Sequence, residues 1–349
     1  MKIPIVFAFD DNYALPASVA IMSLQATKAP TTEYEVIVLH DGLRDETMRK
    51  FERICPIRWI QVAGGGSAVD FGSLPTCWSG TTCWYRLLIA DLLPEYDHVI
   101  WSDGDVLFKG DLQDVFCQGL NGYDWLGCCF ESANEKLGIH NHFPERIGAA
   151  VFGAGFMIIN ARKWREDDFL GRCKSVIKKF GSRLTFCDLD VLNLAAESIG
   201  NVSFAYCVLS NLIEERRIEN APEYSWLERA QGRDALVDAV NHPIIVHYAG
   251  CGSRLKPWER GPKTIPADYW KFLVTSPFYE KRYFSPLCPV VLLWIFDALR
   301  FALAADPTRR KVLKTRTVHW ENMVKNGKSA WLSPVLRMLR RMRLSLRGR

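Results

Sequence analysis

Three short apolar segments near the N-terminus alternate with two segments of helical periodicity. The apolar segments are residues 3–9, 34–42 and 57–63, and the helical segments are 15–27 and 44–55. Strand, helix, strand, helix, strand is the order that produces a sheet of parallel strands flanked by helices. In such sheets, ligands bind beyond the carboxyl ends of the strands. The sequence therefore predicts an α/β fold with its functional site at that edge.

The segment HVIWSDGDVLFKGDL, residues 98–112, follows a predicted helix over 81–94. It reads as one buried strand interrupted by Asp103, Gly104 and Asp105. Side chains two residues apart in an extended strand point to the same side, so the two carboxylates would repel each other. Mg²⁺ and Mn²⁺ prefer oxygen ligands and would relieve this repulsion. A polar turn in which Gly104 forms the bend explains the same three residues, and the motif alone favours this turn.

Other charged or polar residues also stand near predicted strand ends. Asp10 begins a polar turn after the first strand, the pair His40 and Asp41 ends the second, and His247 ends a later apolar segment, 243–250. Arg86 lies in the predicted helix before the Asp-Gly-Asp segment. Each has an ordinary structural explanation, because Asp-Asn turns are common and a lone histidine is often a core residue. Together they are consistent with a metal–diphosphate site, which Lys256 could complete.

Cysteine usage and the N-terminus predict the cellular compartment. The 11 cysteines are scattered through apolar segments, and two of them, Cys128 and Cys129, are adjacent. The chain is too long for a small disulfide-stapled domain, and no paired zinc-type motif occurs. No apolar leader with a small-residue cleavage site begins the sequence. We therefore expect reduced thiols in a cytoplasmic protein.

The composition changes beyond about residue 280. Lys and Arg far outnumber the acids Asp306 and Glu321 in residues 306–349. The apolar run within 286–306 is shorter than the roughly 20 residues of a membrane-spanning helix. Residues 331–349 place Leu and Met at helical spacing among arginines, which is typical of a helix lying on an anionic membrane surface. A disordered tail or an RNA-binding tail is the alternative. We expect a catalytic domain over 1–280 and a helical, basic, membrane-associating region over 281–349.

The motifs also resemble a known family in their order along the chain. Five segments across roughly residues 3–260 resemble the successive motifs of the family-8 retaining glycosyltransferases. They are VFAFDDNYALPASVAIMSL, TTCWYRLLIADLLPEYDHVIWSDGDVLFKGDL, GAGFMIINARKW, DLDVLN and HYAG…KPW. The resemblance implies a GT-A-like fold, in which helices flank a Rossmann-like nucleotide-binding mixed sheet. It also implies the transfer of a hexose from a UDP-sugar with Mn²⁺ or Mg²⁺.

The resemblance assigns roles to individual residues. Asp103, Asp105 and His247 would bind the metal, and Asp103 would also lie near the donor sugar or ribose. Asp188, Asp103 and Arg86 would be the catalytic residues, with Asp188 binding hydroxyls of the donor sugar. The remaining contacts to the donor would come from Ala8, Asp10, Asn12, Tyr13, Arg86, Ala154, Gly155, Gly250 and Lys256.

The sequence departs from the family pattern at several positions. Gly153 replaces an asparagine that contacts the sugar, and Leu189 replaces a glutamine near the reacting carbon. Glu131 stands where the family has aspartate, and a longer segment separates Gly250 from Lys256. These differences concern sugar identity and acceptor binding more than the nucleotide–metal half of the site.

The predicted function is the α-linked transfer of a hexose, glucose or galactose, from a UDP-sugar to a saccharide or glycolipid acceptor such as lipopolysaccharide core. The enzyme would be peripheral on the inner face of the cell membrane and would bind no nucleic acid. A catalytically degenerate UDP-sugar-binding protein is one alternative. A nucleotidyltransferase is another, although the turn after the first strand lacks a Gly-rich phosphate loop.

Overall fold

A computed structural model describes residues 2–62, 81–131, 149–184, 186–215, 217–221, 223–249, 256–259 and 265–280. The strands are β1 (Lys2–Ala8), β2 (Glu33–His40), β3 (Ile57–Gln61), β4 (His98–Ser102), β5 (Val106–Phe108), β6 (Trp125–Glu131), β7 (Val151–Asn160), β8 (Ile199–Asn201), β9 (Val208–Leu209) and β10 (Ile245–His247). The α-helices are α1 (Ala14–Thr27), α2 (Asp45–Glu52), α3 (Ile89–Leu92), α4 (Gln113–Cys117), α5 (Ala161–Glu166), α6 (Phe169–Phe180), α7 (Asp188–Ala195), α8 (Ser210–Glu214), α9 (Tyr224–Gln231), α10 (Arg233–Asn241) and α11 (Ala267–Leu273).

The main sheet has seven strands in the order β3-β2-β1-β4-β7-β6-β8. Strands β3, β2, β1 and β4 are parallel, as the alternation near the N-terminus predicts. Strand β7 enters antiparallel to both β4 and β6, so the sheet is mixed. The interior strand β1 is buried at Ile3, Ile5, Val6 and Phe7, because its successive side chains face core on opposite sides of the sheet.

A second, three-stranded sheet has the order β5-β10-β9. The prediction of one strand within residues 98–112 is therefore wrong, because β4 belongs to the large sheet and β5 to the small one. Asp103, Gly104 and Asp105 form the turn that crosses between them. The crossing is invisible in the sequence because apolar residues on both sides, such as Ile100 and Leu107, are equally buried.

The predicted helix over 81–94 is mostly a 3₁₀ helix, Thr82–Leu88, followed by the single turn of α3. All seven residues of the 3₁₀ helix are buried. A segment buried on every side has no one-sided apolar stripe to favour α-helical spacing, so its neighbours determine its winding. The chain leaves α3 at Leu93, directly before Pro94, which cannot continue a helix.

The chain divides into two compact units. The first contains Met1–Ala249 and Lys271–Phe278, and both sheets belong to it. The second contains Gly250–Trp270 and Tyr279–Arg349. Within the described part of the second unit, a 3₁₀ helix spans Pro257–Glu259, and the Trp258 and Tyr269 rings are stacked with centroids 6.2 Å apart.

Seven cysteines in the described residues are free thiols, as expected from the sequence. Cys187 is an exception because it is disulfide-bonded. Among the described residues, no helix has the length and apolar character needed to cross a membrane. The predicted helices within 286–306 and 331–349 lie outside the described residues, so the membrane-associating region over 281–349 stays a prediction.

Candidate functional site

The turn between β4 and β5 is fixed from both sides by backbone hydrogen bonds. The N–H of Asp103 donates to the carbonyl of Gly155 on β7 at 2.9 Å. The carbonyl of Asp105 accepts from the N–H of Tyr248, which follows β10, also at 2.9 Å. Strand β10 runs antiparallel to β5 and pairs His247 with Val106. Strand pairing therefore brings His247, from far along the chain, next to the two aspartates.

Asp103, Asp105 and His247 form a compact group of potential metal ligands. His247 Nε2 lies 3.3 Å from Asp105 Oδ1 and 3.6 Å from Asp103 Oδ2, and one ligand atom from each residue lies within 4.8 Å of the other two. Adjacent ligands of an octahedral ion with bonds of about 2.1 Å stand about 3.0 Å apart. Two carboxylates and an imidazole at these separations fit a divalent cation such as Mn²⁺ or Mg²⁺.

The electrostatics of His247 reflect its burial and its two neighbours Asp105 and Cys207. Burial favours the neutral imidazole and is the largest single effect, but the charge and hydrogen bond of Asp105 and the contact with Cys207 together outweigh it and raise the pKa of His247 well above its ordinary value. The raised pKa means that Nε2 carries a proton between the two carboxylates when no cation is bound. A cation bound by Nε2 would replace this proton. The group is thus an electronegative cluster that requires a positive charge, whether a proton or a metal ion.

Gly155 allows the histidine to approach β7. A Cβ atom at this position would lie 2.4 Å from Cε1 and 2.7 Å from Nδ1 of His247. Any larger residue would displace the imidazole, so the glycine at 155 is required by the packing of the ring. The neighbouring Ala154 contributes its carbonyl oxygen, which accepts from Nη1 of Arg86 at 2.6 Å.

Arg86 connects the acids of the site. Its Nη2 donates to Asp103 Oδ1 at 2.8 Å, and its Nε lies 3.0 Å from Asp188 Oδ2. Its guanidinium carbon lies 4.3 Å from the ring centroid of Trp101. The residue is only 5% exposed, which leaves little of its surface for a bound molecule. Arg86 therefore holds the two carboxylates in place, and its contact to the donor stays a prediction.

Asp188 is the first residue of α7 and is buried. Burial raises the pKa of Asp188 to about 6, although Arg86 opposes the shift. At neutral pH the carboxyl group is therefore ionised and paired with Arg86. The preceding residue, Cys187, has a positive φ of 52°, which turns the chain sharply into the helix.

The polar turn after β1 lies beside the Asp-Gly-Asp turn. The Cβ atom of an alanine at Gly104 would lie 3.4 Å from the Tyr13 ring, so these two turns are in contact. Asp10 Oδ1 accepts from the N–H of Tyr13, and Asp10 Oδ2 accepts from the Asn12 amide, both at 3.0 Å. Asp10 thus caps the short 3₁₀ helix Asp11–Tyr13. Asn12 is exposed, and Ala8, at the end of β1, is half-buried.

His40 belongs to a turn. Its Nδ1 accepts from the N–H groups of Gly42 and Leu43, both at 3.2 Å, and it closes the turn after β2. Burial lowers the pKa of His40, which favours the neutral form that can accept these bonds. Asp41 is exposed and accepts a hydrogen bond from Thr81 at 3.5 Å.

The space at Gly153 is occupied by an aromatic ring. A Cβ atom there would lie 2.6–2.8 Å from three atoms of Phe130. The side chain of Phe130 therefore explains why the asparagine expected from the family pattern is absent. Leu189 is half-buried and packs against the hydrophobic core, and Glu131 ends β6 as a buried residue.

The structure does not test two of the predicted donor-binding residues. Gly250 lies outside the described residues. Lys256 belongs to the second unit, where its backbone N–H donates to Glu259 at 2.9 Å and its ammonium group lies 5.8 Å from the ring centroid of Trp258. Their contacts to a donor stay predictions.

The structure adds two residues that the sequence analysis missed. Trp101 donates its indole N–H to Asp103 Oδ1 at 3.1 Å. Its position two residues before Asp103 was an available signal, because side chains two residues apart in an extended segment point to the same side. Cys207 places its sulfur 3.6 Å from His247 Nδ1. No local pattern indicates that contact, because it joins residues 40 positions apart.

Comparison with known proteins identifies the family. The family model described as Glycosyl transferase family 8 matches residues 4–261. The chain belongs to glycosyl transferase family 8. It is therefore a glycosyltransferase, and the resemblance seen in the sequence motifs is confirmed.

Several glycosyltransferases are similar to this chain in sequence. A lipopolysaccharide 1,2-glucosyltransferase of Escherichia coli is 21% identical, over 79% of each protein. A putative glycosyltransferase of Haemophilus influenzae is 20% identical, over 70% of this chain and 71% of the relative. A probable glycosyl transferase of Streptococcus gordonii, named Gly, is 24% identical over 55% of this chain. The aligned region spans only 24% of that Streptococcus protein.

Solved structures confirm the GT-A fold. The galactosyltransferase LgtC, in complex with donor and acceptor sugar analogues, superposes with a TM-score of 0.63 and 22% identity. The match covers 80% of this chain and 99% of LgtC. The bifunctional glycosyltransferase WbbM superposes with a TM-score of 0.62 and 17% identity, over 81% of this chain and 51% of WbbM.

Proposed function

We propose that this family-8 enzyme transfers a hexose, glucose or galactose, from a UDP-sugar to a saccharide or glycolipid acceptor with the help of a divalent cation. The observation that carries the proposal is the cluster of Asp103, Asp105 and His247 beside the Arg86–Asp188 ion pair. The names of the E. coli glucosyltransferase and of LgtC support a hexose and, for the former, a lipopolysaccharide acceptor.

Asp103, Asp105 and His247 would hold Mn²⁺ or Mg²⁺, because their ligand atoms have the number, chemistry and spacing that such an ion accepts. When bound, the ion supplies Lewis-acid stabilisation of the charge that develops on the leaving diphosphate. In mutational studies of other enzymes, removing one such stabilising group slows the reaction by about 10²–10³-fold.

The buried ion pair prepares the carboxylates for the donor. Arg86 holds Asp103 Oδ1 and Asp188 Oδ2 at 2.8 and 3.0 Å, so the remaining oxygen of each carboxylate is oriented before substrate binds. Asp103 would direct its Oδ2 to the cation, and Asp188 would accept hydrogen bonds from hydroxyl groups of the donor sugar. Arg86 contributes as a positioning residue, since its buried guanidinium group is engaged by these acids.

The nucleoside would occupy the adjoining turn. This turn follows the end of β1, and the predicted nucleoside contacts are Ala8, at the end of the strand, and Asp10, Asn12 and Tyr13 in the turn. The contact between Tyr13 and Gly104 joins the turn to the aspartates. Ala154 and Gly155 would lie beside the donor sugar, and Gly250 and Lys256 would contact the diphosphate.

Retention of configuration is best explained by attack on the same face that the diphosphate leaves. In this route the C1–O bond of the donor breaks, the acceptor oxygen bonds to C1, and the departing phosphate oxygen takes the acceptor proton. Asp188 would contribute by fixing the sugar ring through its hydroxyl groups.

A catalytically degenerate UDP-sugar-binding protein is the second candidate, favoured by two local features. The Phe130 ring fills the space at Gly153, and Leu189 supplies no polar group. A nucleotidyltransferase is less consistent with the site, since the turn after β1 has no glycine-rich phosphate loop.

The proposal is tested by adding UDP-glucose, UDP-galactose and other UDP-hexoses in turn with Mn²⁺, and by measuring both UDP binding by calorimetry and UDP release. We expect binding and release with at least one hexose, and an α-linked product by proton NMR. UDP binding without release from any hexose would instead support the degenerate protein.

The C-terminal region is proposed to hold the enzyme at the inner face of the membrane. Residues 331–349 carry six arginines and no acid, which favours anionic lipid headgroups. Co-sedimentation of the full chain with anionic vesicles, reduced by deletion of 331–349, is the expected result. Equal sedimentation with neutral vesicles, or salt-sensitive binding to RNA without vesicle binding, would contradict this assignment.

A further inference from the structure

His247 uses its two ring nitrogens in different directions. Nε2 faces the carboxylates of Asp103 and Asp105, and Nδ1 faces the sulfur of Cys207 at 3.6 Å. An imidazole that binds a cation through one nitrogen carries its proton on the other. That second N–H needs an acceptor, and the acceptor determines how the ring is rotated about its bond to the main chain. Cys207 stands at the position of this acceptor.

The sulfur of Cys207 is held firmly by the surrounding backbone. Its N–H donates to the carbonyl of Phe204 at 2.9 Å, which closes the 3₁₀ helix Phe204–Tyr206. The next residue begins β9, whose parallel pairing with β10 places Leu209 opposite His247. Cys207 is 1% exposed, so water cannot readily replace its sulfur as the partner of Nδ1.

Cys128 forms a further contact behind Cys207. A side-chain hydrogen bond joins the two cysteines, and Cys128 also lies 3.4 Å from the carbonyl of Ser203, to which its thiol donates. Both sulfur atoms lie in the protein interior. The imidazole of His247 is therefore backed by two buried sulfur groups instead of the carboxylate or backbone carbonyl that commonly fills this position.

Strand β7 also limits the position of the imidazole. The hypothetical Cβ distances of 2.4 Å to Cε1 and 2.7 Å to Nδ1 show that the Gly155 backbone packs directly against the ring. The ring thus contacts both the Gly155 backbone and the Cys207 sulfur. Gly155 limits the position of the ring by contact, and Cys207 is the polar partner of Nδ1.

We propose that Cys207 is a positioning residue for the metal-binding histidine, with its sulfur accepting the Nδ1–H of His247 so that Nε2 is presented to the cation. This inference rests on the proposed metal-dependent function of the same site. Loss of such a partner typically lowers metal affinity by about 10–100-fold. Sulfur is a weak acceptor, so we expect a loss near the lower limit, about tenfold.

The test uses the full chain, Mn²⁺ alone as the probe, and paramagnetic resonance titration of free Mn²⁺ to measure the dissociation constant. Cys207→Ala removes the acceptor, Cys207→Val removes it while filling the space, and Cys207→Ser restores an acceptor oxygen. Cys173→Ala is the matched control, because Cys173 is a buried cysteine on α6 within the hydrophobic core. Urea unfolding of each variant reports stability separately.

We expect Cys207→Ala and Cys207→Val to raise the Mn²⁺ dissociation constant about tenfold, and Cys207→Ser to restore most of the affinity. Cys173→Ala should bind Mn²⁺ as the wild type does, whatever its stability. Wild-type affinity in both Cys207→Ala and Cys207→Val would overturn the inference alone. Absence of Mn²⁺ binding by the wild-type protein would overturn both the inference and the proposed metal-dependent function.

Discussion

Replacing Arg86 by methionine should destabilise the protein strongly, and the size of the effect should depend on Asp188. The Arg86 side chain is 6% exposed, and those of Asp188 and Asp103 are 11% and 25% exposed. Methionine fills a similar volume but leaves both carboxylates without their cation. Removing one partner of a buried ion pair typically costs about 3–5 kcal/mol. We expect Arg86→Met to lower the free energy of unfolding by that amount.

A double-mutant cycle separates the ion pair from the packing. Asp188→Asn keeps the shape of the side chain and removes its charge. In that background Arg86→Met no longer leaves Asp188 as an unpaired buried carboxylate, so its cost should fall by about 1–3 kcal/mol. The difference between the two costs is the coupling energy of Arg86 with Asp188.

The assay is urea unfolding followed by tryptophan fluorescence, with chelator present so that no cation compensates at Asp103. Arg58→Met is the matched control, because Arg58 pairs with Glu35 and Glu95 while its own side chain is 39% exposed. Exposed pairs contribute about 0–1 kcal/mol, so this variant should shift the unfolding midpoint little. Equal costs of Arg86→Met in the wild-type protein and in the Asp188→Asn variant, within about 0.5 kcal/mol, would refute the electrostatic explanation.

Three further substitutions test the packing around the acids. Gly155→Ala should weaken Mn²⁺ binding in calorimetry, because its Cβ atom would stand 2.4 Å from Cε1 of His247. An unchanged affinity for Mn²⁺ would contradict the tight packing of residue 155 against the imidazole. Trp101→Phe removes the indole N–H that donates to Asp103 and should cost about 1 kcal/mol of unfolding free energy, whereas wild-type stability would show that this bond contributes nothing. Asp111→Ala should cost about 2 kcal/mol at pH 7 without affecting Mn²⁺ binding, because two backbone N–H groups and two hydroxyl groups donate to this carboxylate. Burial raises the pKa of Asp111, but these hydrogen bonds lower it overall. The stabilisation by the carboxylate is therefore present above about pH 4 and should disappear as the pH falls further. A difference in unfolding free energy between the wild type and Asp111→Ala that persists in acid would contradict this explanation.

The first half of the main sheet could be predicted because its signals are local. Strands β1 and β2 are continuous apolar runs, and helix α2 presents buried residues such as Phe51 on one side. The antiparallel insertion of β7 could not be predicted in the same way, because its apolar run is equally suitable for either direction. The pairing of β5 with β10 depends on a contact between residues 106 and 247, for which the neighbouring sequence carries no signal.

The candidate site was predictable to the extent that its residues follow strands. Asp103, Asp105 and His247 stand at strand ends, and the structure brings them together. The Asp103–Asp105 segment is a turn between two sheets, so the turn brings the two carboxylates together, and not the alternation of side chains along one strand. Cys207 carried no signal, since its importance depends only on the packing of β9 against β10.

The dependence of UDP release on Mn²⁺ tests the central claim most directly. Initial rates are measured over a titration of Mn²⁺, with metal-free protein and the UDP-hexose that the wild type uses. The proteins compared are the wild type, Asp105→Ala and the control Asp114→Ala. The control alters an exposed aspartate on α4. We predict rates that rise with Mn²⁺ and disappear with chelator in the wild type and the control, and a loss of about 10²–10³-fold in Asp105→Ala. Turnover by Asp105→Ala at the wild-type rate, or wild-type turnover that persists unchanged in chelator, would contradict a metal-dependent transferase built on these residues.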